Sequence, residues 1–416
     1  MLLLALAAQA AAVVLLAFSA RRALLLAAAC LPDPRLAGAG AGAFPTVLVL
    51  APGRNEAAAL PGLFQKLEAL DYPRQLLRVI IVDDGSTDGT GRLAQAWAAS
   101  RPWAAALLLP ANRGKAQALN EALASGLHPG FAPELIVVYD ADHRPEPGAL
   151  RALAAPFQQP EVGAVSGQMR VANGLASPAA AYAMIESLVN QFISMRAKDR
   201  LRLAPGILGS NCAYRASALR AAGGFRGGAL LEDSDLTLAL ALAGWRTGFA
   251  PASISDHAAP LSVGGYVRQH LRWNRGFHQV TAGRLGGLWR SPRLSPLLKL
   301  ELTFFAFGYA DRLALLAALV FTLADLARPG TFGFPLVVWG IYFGLPAVEM
   351  VTALVLARER PAAYLRLAYV PVFFALDIAI AAWSAAQSLL RRPLRWGATE
   401  RAAAGAGQTG GESPKA

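Results

Sequence analysis

The chain of 416 residues has few charged side chains and almost no cysteine. Charged residues make up only 16% of the sequence, whereas 55% is hydrophobic and the mean hydropathy is +0.38, which is too apolar for an ordinary soluble protein. Two cysteines, Cys30 and Cys212, are too few for a disulfide framework or a thiolate metal site. The scarcity of charge therefore indicates a membrane protein, and the scarcity of cysteine excludes a disulfide scaffold.

Two common phosphate-binding motifs are also missing. No G-x-x-x-x-G-K-S and no G-x-G-x-x-G sequence lies at a strand–helix junction, so we expect neither a P-loop nor a Rossmann turn. The net charge of +12 suggests nucleic acid, but no base-reading motif and no interleaving of aromatic and basic residues accompanies it. Basic residues that flank apolar segments are typical of the cytoplasmic membrane surface. We therefore expect a lipid bilayer, and no nucleic acid, as a partner.

Long apolar runs lie at both ends of the chain. The first covers residues 2–19 and is followed by Arg21 and Arg22, an order that suits an uncleaved anchor with its C-terminal side in the cytoplasm rather than a signal peptide. Further membrane spans are predicted near residues 302–324, 334–357 and 367–389. Basic residues lie at both ends of the last predicted span, so the positive-inside rule leaves the side of the C-terminus open.

The region between about residues 45 and 260 reads as an α/β domain. Near-continuous apolar strands, such as TVLVLAP (46–52) and LIVVY (135–139), alternate with helical segments. This alternation predicts a mostly parallel sheet covered on both faces. Such sheets bind ligands at the carboxyl ends of their strands, where the polar clusters of this sequence fall.

Acidic residues follow three of the predicted strands. They are Glu56 after the first strand, Asp83 and Asp84 after the second, and Asp140 and Asp142 after the fourth. Carboxylates there can bind the base or ribose of a nucleotide, although Asp also commonly caps a following helix. The pair in DAD favours a binding site, because two carboxylates two residues apart can share a divalent cation and the diphosphate that it neutralises.

Three further stretches allow two interpretations each. Lys115 begins a predicted helix, where it either reaches a phosphate or lies on the surface. LLEDSDLTLAL (230–240) places carboxylates beside an apolar helix. These carboxylates either cap the helix or include a catalytic base. QHLRW (269–273) crowds polar groups next to an apolar segment, and in isolation it suits a snorkelling Arg and an interfacial Trp.

Taken in order, seven motifs of this chain resemble those of the membrane-integrated family 2 glycosyltransferases, which include the cellulose, hyaluronan and poly-N-acetylglucosamine synthases. They are APGRNE, DDGSTD, NRGKAQALN, DAD, GSNCAYR, LEDSD and QHLRW, within residues 46–276. The resemblance implies a GT-A-type nucleotide-sugar domain, with a mostly parallel sheet, flanked by transmembrane helices. It places this domain at the cytoplasmic face of a multi-pass protein of the plasma membrane.

The resemblance also implies a reaction. A hexosyl group would pass with inversion from a UDP-sugar to a glycan acceptor, giving a β-linked oligosaccharide or polysaccharide. A glycolipid synthase that adds single sugars to ceramide, diacylglycerol or a polyprenyl phosphate carries a similar final motif and stays open. An inactive scaffold is less favoured, because the carboxylates of DAD and LED are all present. The sequence reads LED where many members have TED, and its four predicted spans put a long polymer channel in doubt.

By the same resemblance, five carboxylates form the donor site. Glu56, Asp83 and Asp84 would hold the uridine, whereas Asp140 and Asp142 would bind the ribose–diphosphate and a Mg²⁺ or Mn²⁺ ion.

Five more residues take part in binding and transfer by this resemblance. Lys115 would lie near the nucleotide, and Asp233 would be the general base. Gln269 and Arg272 would bind the leaving diphosphate, to which Arg272 gives charge-assisted hydrogen bonds. Trp273 would present its ring to the acceptor.

The predicted organisation has five parts. They are a membrane anchor (1–31), the glycosyltransferase domain (45–276), interfacial helices (277–300), transmembrane segments (301–390) and a basic, disordered tail (391–416). Within the second part, residues 183–203 carry an amphipathic, basic pattern that predicts a helix lying on the bilayer, although a core-facing helix suits its first half equally well.

Overall fold

The computed structural model describes residues 2–32, 44–327, 337–390 and Arg392. The predicted tail lies outside the described residues except for Arg392. Eight strands form one sheet: β1 (Val47–Gly53), β2 (Leu77–Asp84), β3 (Ala104–Leu109), β4 (Leu135–Val138), β5 (Arg144–Pro145), β6 (Val162–Val171), β7 (Cys212–Arg215) and β8 (Arg246–His257).

The sheet order is β3-β2-β1-β4-β7-β6-β8-β5. Four neighbouring pairs are parallel: β1 with β2, β1 with β4, β2 with β3, and β6 with β8. β7 runs antiparallel to both of its neighbours, and the short β5 runs antiparallel to β8. The predicted α/β fold with a mostly parallel sheet is confirmed.

The α-helices of the described residues number fifteen. They are α1 (Leu2–Cys30), α2 (Leu60–Glu68), α3 (Thr90–Ala99), α4 (Lys115–Ala124), α5 (Ala149–Ala154), α6 (Pro178–Leu188), α7 (Arg196–Leu201), α8 (Ala216–Ala221), α9 (Glu232–Leu242), α10 (Val263–Arg290), α11 (Pro296–Ala306), α12 (Ala310–Ala327), α13 (Val337–Leu356), α14 (Pro361–Leu365) and α15 (Val370–Leu389).

Helices cover both faces of the sheet, as the apolar strands require. Alternate residues of a strand point to opposite faces. Val49 of β1 accordingly belongs to one buried cluster with Leu63 of α2, and Leu50 belongs to another with Leu119 of α4 and Leu240 of α9. This three-layer packing leaves the carboxyl ends of β1, β2 and β4 free of helices and available for a site.

Apolar helices near both ends of the chain are long enough to cross a membrane. Three qualify by length and composition: α1, α13 and the continuous stretch Pro361–Leu389 that ends in α15. A fourth candidate is the pair α11 and α12, which is bent by 71°. These four coincide with the four predicted spans, and the bend lies within the predicted segment 302–324.

Arg21 and Arg22 do not flank α1 but lie inside it, where they form ion pairs with other helices. Arg21 donates two hydrogen bonds to Glu301 of α11, at 2.8 and 2.7 Å. Arg22 lies 2.8 Å from Glu349 of α13 and 3.4 Å from Asp311 of α12. These bonds join the N-terminal helix to three C-terminal helices that are remote from it in sequence.

The segment predicted to lie on the bilayer is packed inside the protein. It forms α6, a π-helix (Val189–Met195) and α7. Ile185 and Ile193 are buried, and Ile193 shares a cluster with residues of α1 and α13. Lys198 is also buried and pairs with Glu301 at 2.7 Å. The core-facing interpretation therefore describes this segment better than the membrane-surface one.

Candidate active site

One cavity of about 1600 Å³ begins at the carboxyl ends of β1, β2 and β4 and continues between the apolar helices. We call the part lined by Asp84, Asp140, Asp142 and Asp233 the sheet end. The part lined by Arg22, Tyr342 and Phe374 is the membrane end. Nine of the ten predicted site residues line this cavity; the exception is Asp83.

The loops after β1 and β2 are held together by side chains of the first two motifs. Asn55 adopts a left-handed conformation (φ 56°) that side chains rarely take outside Asn, Asp and Gly. Its backbone N–H donates to Ser86 Oγ at 2.8 Å, and its own Oδ1 accepts from Thr87 N at 2.9 Å. The backbone N–H of Glu56 donates to Thr90 Oγ1 at 2.8 Å. Together these bonds fix the backbone from which Glu56 reaches the cavity.

The two neighbouring aspartates after β2 do different things. Asp83 is buried, and its Oδ1 accepts from Ser86 N at 3.1 Å, within its own loop. Asp84 lines the cavity, and its two oxygens accept from the backbone N–H groups of Arg113 and Gly114, at 2.7 and 2.8 Å. Asp84 thus forms part of the wall of the sheet end, whereas Asp83 holds the loop behind it, and the contact of either carboxylate with a uridine stays a prediction.

Lys115, the first residue of α4, lies at the centre of the sheet end. Its ammonium group is 2.8 Å from Asp140 and 3.1 Å from Glu232, and it donates to the carbonyl of Gly209 at 2.8 Å. Burial opposes the charge on Lys115, but the two carboxylates outweigh burial and raise its pKa. Lys115 is therefore a fixed cation, as contact with a diphosphate requires, and it is not a surface lysine.

The predicted metal ligands Asp140 and Asp142 are joined by a third candidate, His143. One ligand atom from each of the three residues lies within 4.8 Å of the others. His143 is buried beside Ser255, whose hydroxyl is 3.1 Å from Nδ1, and burial lowers the pKa of His143 to about 4. A neutral imidazole is the form that binds metals, and the two carboxylates are ligands that suit Mg²⁺ or Mn²⁺. The residues present therefore fit a divalent cation.

Asp233, in the first turn of α9, lies in a crowded and largely buried position. Its Oδ1 accepts from Ser234 N at 2.6 Å, and a Cβ atom on Gly209 would lie only 2.5 Å from its Oδ2. Gly209 also has φ 77°, so a glycine is needed there on both counts. Burial, together with the negative charge of Glu232, raises the pKa of Asp233 to about 7. A carboxylate with this pKa can accept a proton near neutral pH.

The predicted signature Gln269, Arg272 and Trp273 lies on α10 and lines the cavity beside α9. Arg272 reaches the carbonyl of Leu230 at 3.5 Å, and its positive charge is close enough to lower the pKa of Asp233. α10 is continuous through residue 276, where the predicted domain ends. One helix thus carries the signature and also packs against the apolar helix α15.

The third carboxylate of LEDSD binds the two helices together. Asp235 is 2% exposed and pairs with Arg284 of α10 at 2.6 Å and with Arg226 at 3.1 Å. Sequence reasoning assigned Asp233 as the base but gave Asp235 no function of its own. It also missed His143, although its place directly after DAD was a usable signal. No sequence signal marked the contact of Glu232 with Lys115.

Comparison with known proteins identifies a family and several named relatives. The family described as "Glycosyltransferase like family 2" matches residues 45–276, more than half of the chain. The "Probable glycosyltransferase YdaM" of Bacillus subtilis (strain 168) is 30% identical over 63% of this chain and 62% of its own length. An "N-acetylglucosaminyltransferase" of Sinorhizobium fredii is 30% identical over 75% of this chain and 74% of its own length. A "Beta-monoglucosyldiacylglycerol synthase" of Synechocystis is 27% identical over 73% of this chain and 63% of its own length. The chain thus spans less than two thirds of the first and third of these relatives.

A solved structure shares the fold over nearly the whole chain. It is described as "Mannosyltransferase PcManGT from Pyrobaculum calidifontis in complex with GDP-Man and Mn2+", and it has a TM-score of 0.65 and 24% sequence identity. The match covers 94% of this chain and 99% of that one, so it includes apolar helices as well as the sheet. At this level of identity the match establishes the fold alone.

Proposed function

The chain belongs to glycosyltransferase family 2, and we propose that it transfers a hexosyl group from a UDP-sugar to a glycan acceptor with inversion. The product is a β-linked oligosaccharide or polysaccharide. The observation that supports this function best is the shared cavity. It brings the pair Asp140 and Asp142, the raised-pKa carboxylate of Asp233, and Arg272 to one space, although they come from three segments that are separated by 91 and 39 positions in sequence.

The donor binds at the sheet end. Glu56, Asp83 and Asp84 form or support the uridine site. Asp140, Asp142 and His143 would hold the divalent cation, which when bound would supply positive charge that neutralises the diphosphate. A cation of this kind would reconcile a site rich in carboxylates with an anionic donor.

The remaining side chains stabilise the leaving group. Lys115 already carries its positive charge inside the cavity, and Arg272 and Gln269 approach from α10. Their hydrogen bonds to the departing UDP act where negative charge develops, in a site shielded from water. UDP stabilised in this way does not need to be protonated by a general acid as it leaves.

The transfer is a single displacement. Asp233 takes the proton from an acceptor hydroxyl, the oxygen forms a bond to the anomeric carbon, and the bond from that carbon to the diphosphate breaks on the opposite face. Trp273 presents a flat apolar face on which the acceptor sugar rests. Only one base is needed, and Asp233 provides a carboxylate with a raised pKa at the sheet end.

We place this domain at the cytoplasmic face of the plasma membrane, in a multi-pass protein. The apolar helices that could span a membrane support the multi-pass part of this placement, and the resemblance to the membrane-integrated synthases implies the cytoplasmic side. The proposed parts are the anchor (1–31), the glycosyltransferase domain (45–276), interfacial helices (277–300), transmembrane segments (301–390) and the tail (391–416).

A second candidate acceptor is a lipid, and one observation favours it. The cavity continues from Asp233 into the membrane end, where Tyr342, Phe343, Phe374 and Ile378 form apolar walls. An acyl or prenyl chain fits such walls better than a glycan does. The relative named as a glucosyldiacylglycerol synthase acts on an acceptor of this kind, whereas the relative named as an N-acetylglucosaminyltransferase leaves the acceptor unnamed.

The experiment that separates the two acceptors uses the purified full chain in liposomes with Mn²⁺ and a panel of labelled UDP-sugars. The glycan acceptor predicts a ladder of oligosaccharides from one of the sugars. If all the label is recovered as a monoglycosylated lipid under sugar excess, the glycan acceptor is wrong and the lipid acceptor is correct. If no UDP-sugar is consumed, the donor assignment is wrong for both.

A further inference from the structure

Asp377 is the one acidic or basic residue of α15, whose sequence is VPVFFALDIAIAAWSAAQSL. It is 2% exposed and lies in the middle of an otherwise apolar segment. An ionisable side chain in such a segment is costly, so it is generally retained for a specific interaction. The mechanism above does not use it.

The carboxylate of Asp377 joins three helices. Its Oδ1 accepts from the Tyr266 hydroxyl of α10 at 2.6 Å, and its Oδ2 accepts from the Tyr182 hydroxyl of α6 at 2.9 Å. Both tyrosines are among the most completely buried large side chains of the described residues. Hydrogen bonds to a buried carboxylate are strong, and a buried hydroxyl that loses its partner is destabilised.

A continuous series of rings leads from this carboxylate to the predicted acceptor residue. The rings of Tyr266 and His270 stack with centroids 3.8 Å apart, and His270 meets Trp273 edge-on at 4.7 Å. These three residues lie on one face of α10, at the spacing of successive helical turns. The orientation of Tyr266 therefore sets that of His270, which in turn supports one edge of Trp273.

His270 is fixed at both ring nitrogens. Nδ1 lies 3.0 Å from the carbonyl of Tyr266, and Nε2 lies 3.2 Å from Oε2 of Glu186. Both partners accept hydrogen bonds, so a protonated imidazole satisfies both. Burial opposes that charge, but the Glu186 carboxylate outweighs it and raises the pKa of His270. The ring is thus a rigid element between Tyr266 and Trp273.

The spacing of Glu186, His270 and Asp377 would also allow a metal ion. However, each oxygen of Asp377 already accepts from a phenol, and both nitrogens of His270 have partners. These oxygens and nitrogens therefore have hydrogen-bond partners without a cation. The arrangement is that of a support for neighbouring side chains and not of a ligand set.

We propose that Asp377 is a positioning residue for the transfer reaction, which acts through Tyr266 and His270 to hold Trp273 in place for the acceptor. The inference deepens the proposed function and rests on it. A membrane helix thereby determines the geometry of a side chain at the catalytic cavity. Farther along the same two helices, His278 Nδ1 lies 2.8 Å from Ser388 Oγ, so α10 and α15 keep a fixed register beyond the site.

The test compares Asp377→Asn with Ser384→Ala in the full chain. Ser384 is a matched control, because it is buried on the same helix and its hydroxyl has no hydrogen-bond partner among the described residues. Asp377→Asn is expected to raise the acceptor KM about tenfold, since one buried hydrogen bond to a charged group is lost. The affinity for UDP and Mn²⁺ is expected to stay within about twofold of wild type, because no nucleotide contact changes. Ser384→Ala should change neither quantity.

A double-mutant cycle with Trp273→Ala identifies the route of the effect. If Asp377 acts through Trp273, Asp377→Asn has little further effect once Trp273 is absent. An equal effect in both backgrounds, or a matching loss of UDP affinity, overturns the proposal. Should Asp377→Asn fail to fold, Tyr182→Phe removes one of the two hydrogen bonds, keeps the ring, and is expected to change the acceptor KM in the same direction by a smaller factor.

A spectroscopic measurement keeps this inference separate from the proposed function. The chain is labelled with 5-fluorotryptophan, and the ¹⁹F resonance of Trp273 is assigned by its loss in Trp273→Phe. Asp377→Asn is expected to shift or broaden this resonance, whereas Ser384→Ala is not. If the wild-type chain transfers no sugar, the proposed function fails while the resonance still reports on the contact. If the resonance does not respond, the positioning role is wrong.

Discussion

At the sheet end of the cavity one cation is shared between carboxylates, since Lys115 contacts both Asp140 and Glu232. Beside the membrane end, by contrast, two carboxylates are each shared between two cations. Glu301 lies between Arg21 and Lys198, at 2.7 Å from each. Asp311 likewise lies between Arg22 and Arg312, at 3.4 and 2.7 Å.

The two arrangements serve different ends. A buried carboxylate with two cationic partners is fully compensated, and its ion pairs hold helices together. Carboxylates that share one cation keep excess negative charge, which favours a divalent cation at Asp140 and Asp142. Burial, together with the negative charge of Glu232, raises the pKa of Asp233. Substitutions at the sheet end should therefore reduce activity, and those at the membrane end should reduce stability.

The largest effect is expected from Asp233→Asn. It removes the proposed base but no nucleotide contact, so transfer should fall by about 10²–10⁴-fold, the usual contribution of a general base. UDP affinity should stay nearly unchanged. Asp71→Asn is the control, because that carboxylate is exposed and pairs with Arg151 at the surface, outside the cavity. Transfer above a tenth of wild type would exclude Asp233 as the base.

Glu301→Gln, beside the membrane end, should reduce stability and leave UDP binding unchanged. It leaves the buried Lys198 and the partly buried Arg21 without a full charge partner, and breaking a buried ion pair typically costs about 3–5 kcal/mol. Thermal unfolding followed by tryptophan fluorescence in detergent should show a clearly lower midpoint. Below that midpoint, the variant should bind UDP as wild type does. An unchanged midpoint, or a selective loss of UDP binding, would contradict the division between the two ends.

Asp142→Ala tests the metal ligands. The variant should lose the Mn²⁺-dependent part of its UDP affinity as well as activity, because the cation joins the DAD pair to the diphosphate. Calorimetry with UDP, with and without Mn²⁺, measures this directly. Glu161→Ala, which removes an exposed carboxylate that pairs with Arg246 and does not line the cavity, serves as the control. Equal Mn²⁺ dependence in Asp142→Ala and wild type would exclude the ligand assignment.

The pH dependence should be the mildest effect. Asp233 must be deprotonated to act as a base, and its pKa is raised to about 7. kcat/KM should therefore be level above that pH and fall about tenfold per unit below it, since it reports on the free enzyme. A profile from pH 5 to 9, with UDP affinity measured over the same range, provides the check. A level profile down to pH 5 would show that the burial and charge around Asp233 do not control the reaction.

The sequence predicted the sheet end better than the membrane end, and the reason is physical. Strand periodicity and the polar residues that follow each strand are local patterns, so the positions of Asp140 and Asp142 could be read directly. Arg21 and Glu301 are separated by 280 positions, and no local pattern reveals such a pair. Arg21 and Arg22 therefore looked like residues at a membrane surface.

The same limit explains the error at residues 183–203. An amphipathic helix has the same sequence pattern whether its apolar face meets lipid or another helix. Only the packed structure shows that Ile193 lies against α1 and α13. Asp377 went unnoticed for a related reason, because its partners Tyr182 and Tyr266 come from two distant segments.

The central claim, a single displacement with Asp233 as base, is tested most directly by the configuration of the new bond. The purified full chain is incubated with Mn²⁺ and the UDP-sugar that it consumes, in which the sugar is α-linked, and the anomeric proton of the first product is observed by ¹H NMR. Attack from the face opposite UDP predicts a β-linked product. An α-linked product would contradict the mechanism whatever the acceptor.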